Sequence, residues 1–166
     1  AGLALGLDEF HEADMQDWET MIDTNVKGLL YMSQGISKIM IREGIPGHII
    51  HVGSIAGHET YPKGHVYCAT KHAVYALTRG MRMDLFKYGI RVGSVDPGMV
   101  ETEFSEVRFH GDTDRASKVY RGFTPLKAID VAEVIHFMAS RPGHVNIDDV
   151  VMMSTDQASS IHVNRK

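Results

Sequence analysis

The chain has 166 residues, a net charge of −4 and a pI near 6.2, with 43% hydrophobic and 23% charged residues. That balance fits one globular domain with a single core and excludes a disordered or fibrous chain. No cluster of Lys and Arg tracks a phosphate backbone, and no uncharged apolar run reaches the roughly 18 residues that span a bilayer. The one Cys makes no internal disulfide, so the expected setting is cytoplasmic, with no nucleic-acid or membrane partner.

The first residues, AGLALGL, lack both Met and the basic start of a signal peptide, and suggest a chain entered partway through. Residues 3–13 carry Asp8, Glu9 and Glu12 among small apolar residues and form a loop. From Asp14, a plausible N-cap, to about Arg42 apolar residues recur every three or four positions. Trp18, Ile22, Val26, Leu29 and Leu30 open this series, and the spacing predicts a helix stopped by Gly44 and Pro46. His48–Ser54 is short, β-branched and closed by Gly-Ser, which predicts a buried strand followed by a loop through residue 64. A second helix runs from about His65 to Tyr88 and closes at Gly89. Ile90–Val95 is a strand stopped by Asp96-Pro97-Gly98. Residues 99–128 are mixed, with one short helix near 113–120. Asp130 and Glu133 form a capping signature before a helix over Val131–Ser140. Val145–Met153 is the last strand, and Ser154–Lys166 a polar tail.

Helices alternating with short buried strands imply parallel pairing by right-handed crossovers, hence an α/β layered fold. Ligands of such sheets sit outside the carboxyl ends of the strands. Two strand exits carry unusual residues, Gly53-Ser54 and Asp96-Pro97-Gly98. Early in the second helix, Tyr67 and Lys71 lie four residues apart and so share a face. An ammonium beside a phenol favours the phenolate and lowers the phenol's pKa toward working pH. A tyrosine tuned this way exchanges protons with a developing alkoxide, and Ser54 can hold a substrate oxygen beside it.

Asn25-Val-Lys-Gly28, Gly53-Ser54, Tyr67-x-x-x-Lys71 and Pro97-Gly-x-x-x-Thr102, in that order, resemble the short-chain dehydrogenase/reductase family, and the opening Ala1-Gly2 resembles its Asn-Asn-Ala-Gly strand end. TEFSEVRFHGD (102–112), HVNIDDVVMM (144–153) and HVNRK (162–166) are similar to its NADP-dependent 3-hydroxy acid dehydrogenases, the group of serine and L-allo-threonine dehydrogenases. The resemblance implies a doubly wound Rossmann-type parallel sheet, of which residues 1–166 hold mainly the second, catalytic half. The glycine-rich turn after the first strand, which would hold the pyrophosphate and separate NAD from NADP, is not present in the sequence; at roughly 30 residues per βαβ unit, about 80–90 residues of the family fold would be absent.

The same resemblance implies Asn25, Ser54, Tyr67 and Lys71 as the catalytic set. Tyr67 would be the acid/base, and Asn25 would help place a water in a proton relay. Gly2, Tyr67, Lys71, Pro97, Gly98, Met99, Val100, Thr102, Glu103 and Phe104 would hold NADP(H), with NAD(H) as the alternative. The substrate would be a small 3-hydroxy acid or β-hydroxy amino acid, contacted by Ser54, Tyr67 and Arg108. A ketone, sugar or acyl thioester stays open as substrate, as does a non-catalytic dinucleotide-binding module. A dimer or tetramer is implied, because family members pair helices like those over 14–42 and 65–88, whose apolar faces exceed one sheet contact. Arg108, a fork-shaped cation in a polar stretch, suits a carboxylate, and residues 99–123 would close over the site. His51, His58, His65 and His72 recur every seven residues but fall on a strand, a loop and a helix, so no metal site is expected. Cys68 points away from the Tyr67–Lys71 face and is expected to pack.

Overall fold

The computed structural model describes residues 2–166, so the expectation placed on Ala1 lies outside the described residues. Three parallel strands form the main sheet in the order β1 (Gly47–Val52), β2 (Ile90–Pro97), β5 (Asp149–Met152). The side chains of successive strand residues point to opposite faces. On β1, Ile49 packs with Met40, Met81, Leu85 and Val92. Its neighbour Ile50 packs with Val95, Val131, Met138 and Val150. Helices therefore cover both faces. α2 (Leu29–Arg42) and α3 (His65–Leu85) lie on one, and α6 (Ala128–Ala139) on the other. Met138 is fully buried in this second layer, a contribution of about 1.5–3 kcal/mol for one side chain of that size.

The first predicted helix is a single rod with an insertion. α1 (Met15–Ile22) is capped by the Asp14 carboxylate, which accepts the Gln16 N–H at 2.8 Å. The rod then passes through a π-helical segment, Asp23–Gly28, into α2. A π turn adds a residue without breaking the apolar stripe, so periodicity alone reads straight through it. Gly89, at φ +70°, closes the turn after α3 in the left-handed region, as its position predicts.

Elsewhere the structure corrects the boundaries. β2 runs through Asp96 and Pro97, because these pair with Val151 and Met152. The last strand is only Asp149–Met152. A Cβ on Gly93 would stand 2.3 Å from the Ile147 carbonyl oxygen, so residues 145–147 cross close over β2, and backbone pairing starts only where the Asp148 carbonyl accepts the Ser94 N–H at 2.9 Å. Residues 99–128 hold more than one short helix: β3 (Val100–Glu101) pairs in parallel with β4 (Leu126–Lys127) and closes a loop containing α4 (Phe104–Arg108) and α5 (Thr113–Val119). α6 begins at Ala128, three residues early. Asp130 is its N3 residue, not its cap, and its carboxylate accepts the Lys127 N–H at 2.7 Å. In the polar tail, Gln157 bridges Val163.

His51 ties α2, β1 and α3 together. Thr78 gives its hydroxyl proton to the Val74 carbonyl, so its oxygen accepts from His51 Nδ1 at 2.8 Å. His51 Nε2 then accepts from Ser33 at 3.0 Å. Burial lowers the His51 pKa below its ordinary 6.5, so the folded state holds the ring neutral. The unfolded chain takes up a proton as pH falls below about 6.5, while the fold resists it. The stability from this ring is present above that value and lost as pH drops through the folded value, with a slope approaching about 1.4 kcal/mol per pH unit. Denaturant melts from pH 8 to 5 should show this acid loss, and His51→Gln should flatten it. Equal slopes in both proteins would exclude His51 as its source.

Candidate active site

The site forms where β1 and β2 end. The Gly53 N–H donates to the Val95 carbonyl at 2.8 Å, and Ser54 then turns the chain. Ser54 is extended and caps the 3-10 turn Ile55–Gly57, its Oγ accepting the Ala56 N–H at 3.1 Å. That turn rests on the α3 backbone: a Cβ on Gly57 would lie 2.8 Å from the Lys71 carbonyl oxygen. The contact brings Ser54 beside the first turns of α3, and Ser54, Tyr67 and Lys71 line one cleft of about 420 Å³. All three side chains are buried.

Lys71 Nζ donates to the Val52 carbonyl at 3.1 Å and stands 5.9 Å from the centre of the Tyr67 ring. Burial pulls its pKa down to about 8, against the pull of the Asp96 carboxylate. Tyr67 moves the other way from the sequence expectation. Burial pushes its phenol above the ordinary value, opposed by the Ser54 hydroxyl and by Arg108. Lys71 Nζ donates to the strand end, not to the hydroxyl. Arg108 is the cation that acts on it, with Cζ 5.7 Å from the same ring.

Asn25 sits in the π segment and is buried off the cleft. Its carboxamide brackets Leu3, accepting the N–H at 2.9 Å and donating to the carbonyl at 2.8 Å, and it donates to Thr70 Oγ1 at 3.1 Å. It thereby pins residues 2–5 against α3. Gly2, at φ +137°, takes a conformation that favours glycine and borders Lys71 Nζ and Asn25. Pro97, Gly98, Met99, Val100, Thr102 and Phe104 also line the cleft, and the Phe104 ring lies 5.7 Å from that of Tyr67. Glu103 is exposed and stands off the cleft.

Arg108 lines the cleft too, donating to the Gly6 carbonyl at 3.2 Å and to Tyr61 Oη at 3.0 Å. Cys68 is fully buried, with its thiol pKa pushed up by burial, as packing predicts. The heptad histidines do not converge. His65 packs edge-on against Phe10 and Trp18, and His72 bonds the Cys68 carbonyl. His58 instead meets Asp96 and Asp149.

Sequence reasoning missed Tyr61, Tyr120 and Gln157, which also line the cleft. Tyr120 Oη donates to the Val100 carbonyl at 2.8 Å. Gln157 Oε1 accepts the Met99 N–H at 2.8 Å, and a Cβ on Gly98 would collide with it. The usable signal was a glutamine in a short segment directly after a strand, beside a glycine it could cover.

A parallel sheet covered on both faces, with Ser, Tyr and Lys gathered at its strand exits, defines an α/β protein built like one half of a dinucleotide-binding fold. The family profile described as short chain dehydrogenase matches residues 1–112, and the chain belongs to that family. It is 46% identical over 159 residues to the NADP-dependent 3-hydroxy acid dehydrogenase YdfG of Salmonella typhi, covering 95% of this chain and 64% of that protein. It is 45% identical over 160 residues to sulfoacetaldehyde reductase 2 of Chromohalobacter salexigens, covering 96% of this chain and 64% of that one. Among solved structures, the closed form of serine dehydrogenase complexed with NADP+ matches with a TM-score of 0.93 and 43% identity, over 100% of this chain and 67% of that one. The chain thus spans just under two thirds of the length of the curated relatives it matches. Among the described residues no helix is long and apolar enough to cross a membrane.

Proposed function

We propose that this chain carries the catalytic residues of an NADP-dependent oxidoreductase that interconverts a small 3-hydroxy acid and its carbonyl. The observation that supports it most is the burial of Ser54, Tyr67 and Lys71 around one cleft at the strand exits. The residues present fit a nicotinamide ribose. An ammonium has three donors, and Lys71 spends one on Val52 while bordering the cleft. Gly2 leaves room beside it. Lys71, Tyr67, Gly2 and the segment Pro97–Phe104 would hold the cofactor, which when bound supplies hydride exchange at the carbinol carbon. The choice of NADP over NAD rests on the names of the relatives.

Held above its ordinary pKa, Tyr67 stays a phenol at neutral pH, and so acts as the proton donor for carbonyl reduction. Ser54 steadies the same substrate oxygen. Asn25 acts from behind, by fixing residues 2–5 against α3. Arg108 lines the cleft, and the donors it does not spend on Gly6 and Tyr61 would take the substrate's anionic group. A sulfonate is the second reading, because the sulfoacetaldehyde reductase of Chromohalobacter salexigens is as similar as the hydroxy-acid enzymes. The exposed Tyr31, Met32, Met83 and Phe86 on α2, on α3 and just after it support a homo-oligomer, which sedimentation as a monomer would contradict. A single buried Cys supports a cytoplasmic setting.

A panel of 3-hydroxy acids, simple alcohols and sulfoacetaldehyde, followed at the nicotinamide absorbance with each cofactor, tests the proposal. Turnover of hydroxy acids with NADP is expected. Arg108→Ala should raise KM for anionic substrates at least tenfold, about the 1.4 kcal/mol of one modest charge-assisted hydrogen bond, and should leave neutral alcohols unchanged. An unchanged KM removes Arg108 from the substrate site, and no turnover by any member of the panel would reject the oxidoreductase reading.

A further inference from the structure

A second cluster of side chains lies behind the cleft. Asp96 is 2% exposed, and His58 Nε2 at 2.9 Å and Ser94 Oγ at 3.1 Å donate to the same oxygen, Oδ2. Its other oxygen lies over Gly53, where a Cβ would sit 1.7 Å away, so only glycine lets the carboxylate reach this place. Gly53 follows Val52, whose carbonyl holds Lys71 Nζ. Asp96 is also the one anion whose charge acts appreciably on Lys71. Asp149 closes the cluster beside His58 and Asp96, its Oδ2 3.9 Å from His58 Nε2, and Tyr75 packs edge-on against the His58 ring at 4.6 Å.

We propose that Asp96 is a positioning residue that keeps Lys71 in its ammonium form at the cleft, with His58 and Ser94 orienting its carboxylate and Gly53 making room for it. The inference rests on the proposed role of Lys71. The logic is electrostatic: a lysine as buried as this one tends to lose its proton, because burial penalises the charged form. A neutral amine would give up the charge that would hold the ribose. One buried anion restores the balance, and it must itself be held by donors to stay in place. The titratable and polar groups facing Asp96 come from four elements. His58 reaches it from the loop after β1, Ser94 from its own strand, Asp149 from β5, and Lys71 from α3. Burial and the hydrogen bond with Asp96 raise the pKa of Asp149 to about 6, so above neutral pH it carries no proton to share.

The test is a direct titration of Lys71 by NMR of protein labelled with 13C-lysine, the resonance being assigned from its absence in Lys71→Arg. The native midpoint should fall near pH 8. Asp96→Asn, which keeps shape and removes charge, should lower the midpoint by a unit or more. Asp149→Asn should leave it within a few tenths, although it removes a carboxylate from the same cluster. The native midpoint does not depend on any variant folding. An unmoved midpoint in Asp96→Asn, or a native midpoint below neutral pH, overturns the proposal. Activity is followed in parallel, and the alkaline limb of kcat/KM should shift down with the midpoint. If the NMR shift occurs in a protein that turns over no substrate, the positioning role stands and the proposed reaction fails.

Discussion

Tyr67→Phe is expected to lower kcat for carbonyl reduction by about 10²–10⁴-fold, the range contributed by one well-placed general acid. Cofactor affinity and melting temperature should barely change. The substitution removes a single oxygen from a ring that is buried, edge-on to Phe104 at 5.7 Å and flanked by the Lys71 ammonium and the Arg108 guanidinium. Those contacts belong to the ring and survive. What disappears is the phenolic proton. Ser54 does not replace it: it only accepts in its bond from the Ala56 N–H and keeps its own proton, but an aliphatic hydroxyl is a weaker acid than a phenol, so it orients the oxygen rather than protonating it. The high phenol pKa adds a directional signature. Reduction needs the phenol, so its rate should hold from pH 6 to 8, whereas oxidation needs the deprotonated form and should climb with pH across that range. Steady-state kinetics in both directions, with a cofactor-binding titration, separate these outcomes. Turnover retained within a few-fold in Tyr67→Phe would remove Tyr67 as the acid.

The parts of this molecule that were legible in the sequence are those set by neighbours along the chain. The alternation of helix and strand, the Asp14 cap, the left-handed stop at Gly89 and the four-residue step from Tyr67 to Lys71 are local facts, and the structure has each of them. The corrections arise from distant contacts. The final strand shrinks because the chain at residues 145–148 lies against Gly93, and Arg91 holds the Arg141 and Val145 carbonyls there. The His58–Asp96–Asp149 group joins a loop and two strands, and no spacing announces it. The expected effect of Lys71 on Tyr67 fails for the same reason. A helical step puts both residues on one face, but whether the ammonium reaches the hydroxyl depends on what else accepts its protons. Here the end of β1 does. The tail's part in the cleft, through Gln157, likewise depends on a fold-level meeting of residues 58 positions apart.

Gly57→Ala should damage catalysis without touching any reacting group. The Cβ it adds would stand 2.8 Å from the Lys71 carbonyl oxygen and 3.2 Å from the carbonyl carbon. Both are helix backbone, with no side chain to swing aside. The turn must therefore lift away from α3, and the cost of such overpacking is about 1–3 kcal/mol. A hydroxyl and a phenol that work on one substrate oxygen tolerate little of this, since a misplacement on the order of 1 Å can cost about a hundredfold in rate. Because the turn begins at Ser54, lifting it separates Ser54 from Tyr67, while the lining at Pro97–Phe104 stays where it is. The expected pattern is a melting temperature lowered by several degrees, kcat reduced about a hundredfold, and cofactor affinity changed far less than kcat. Ser54→Ala should show the kinetic loss without the thermal one, because its hydroxyl contributes one turn-capping bond. Thermal melts and kinetics on the two variants side by side distinguish a positioning glycine from a tolerant one. Native kcat in Gly57→Ala would mean that the contact between this turn and α3 does not set the geometry of the site.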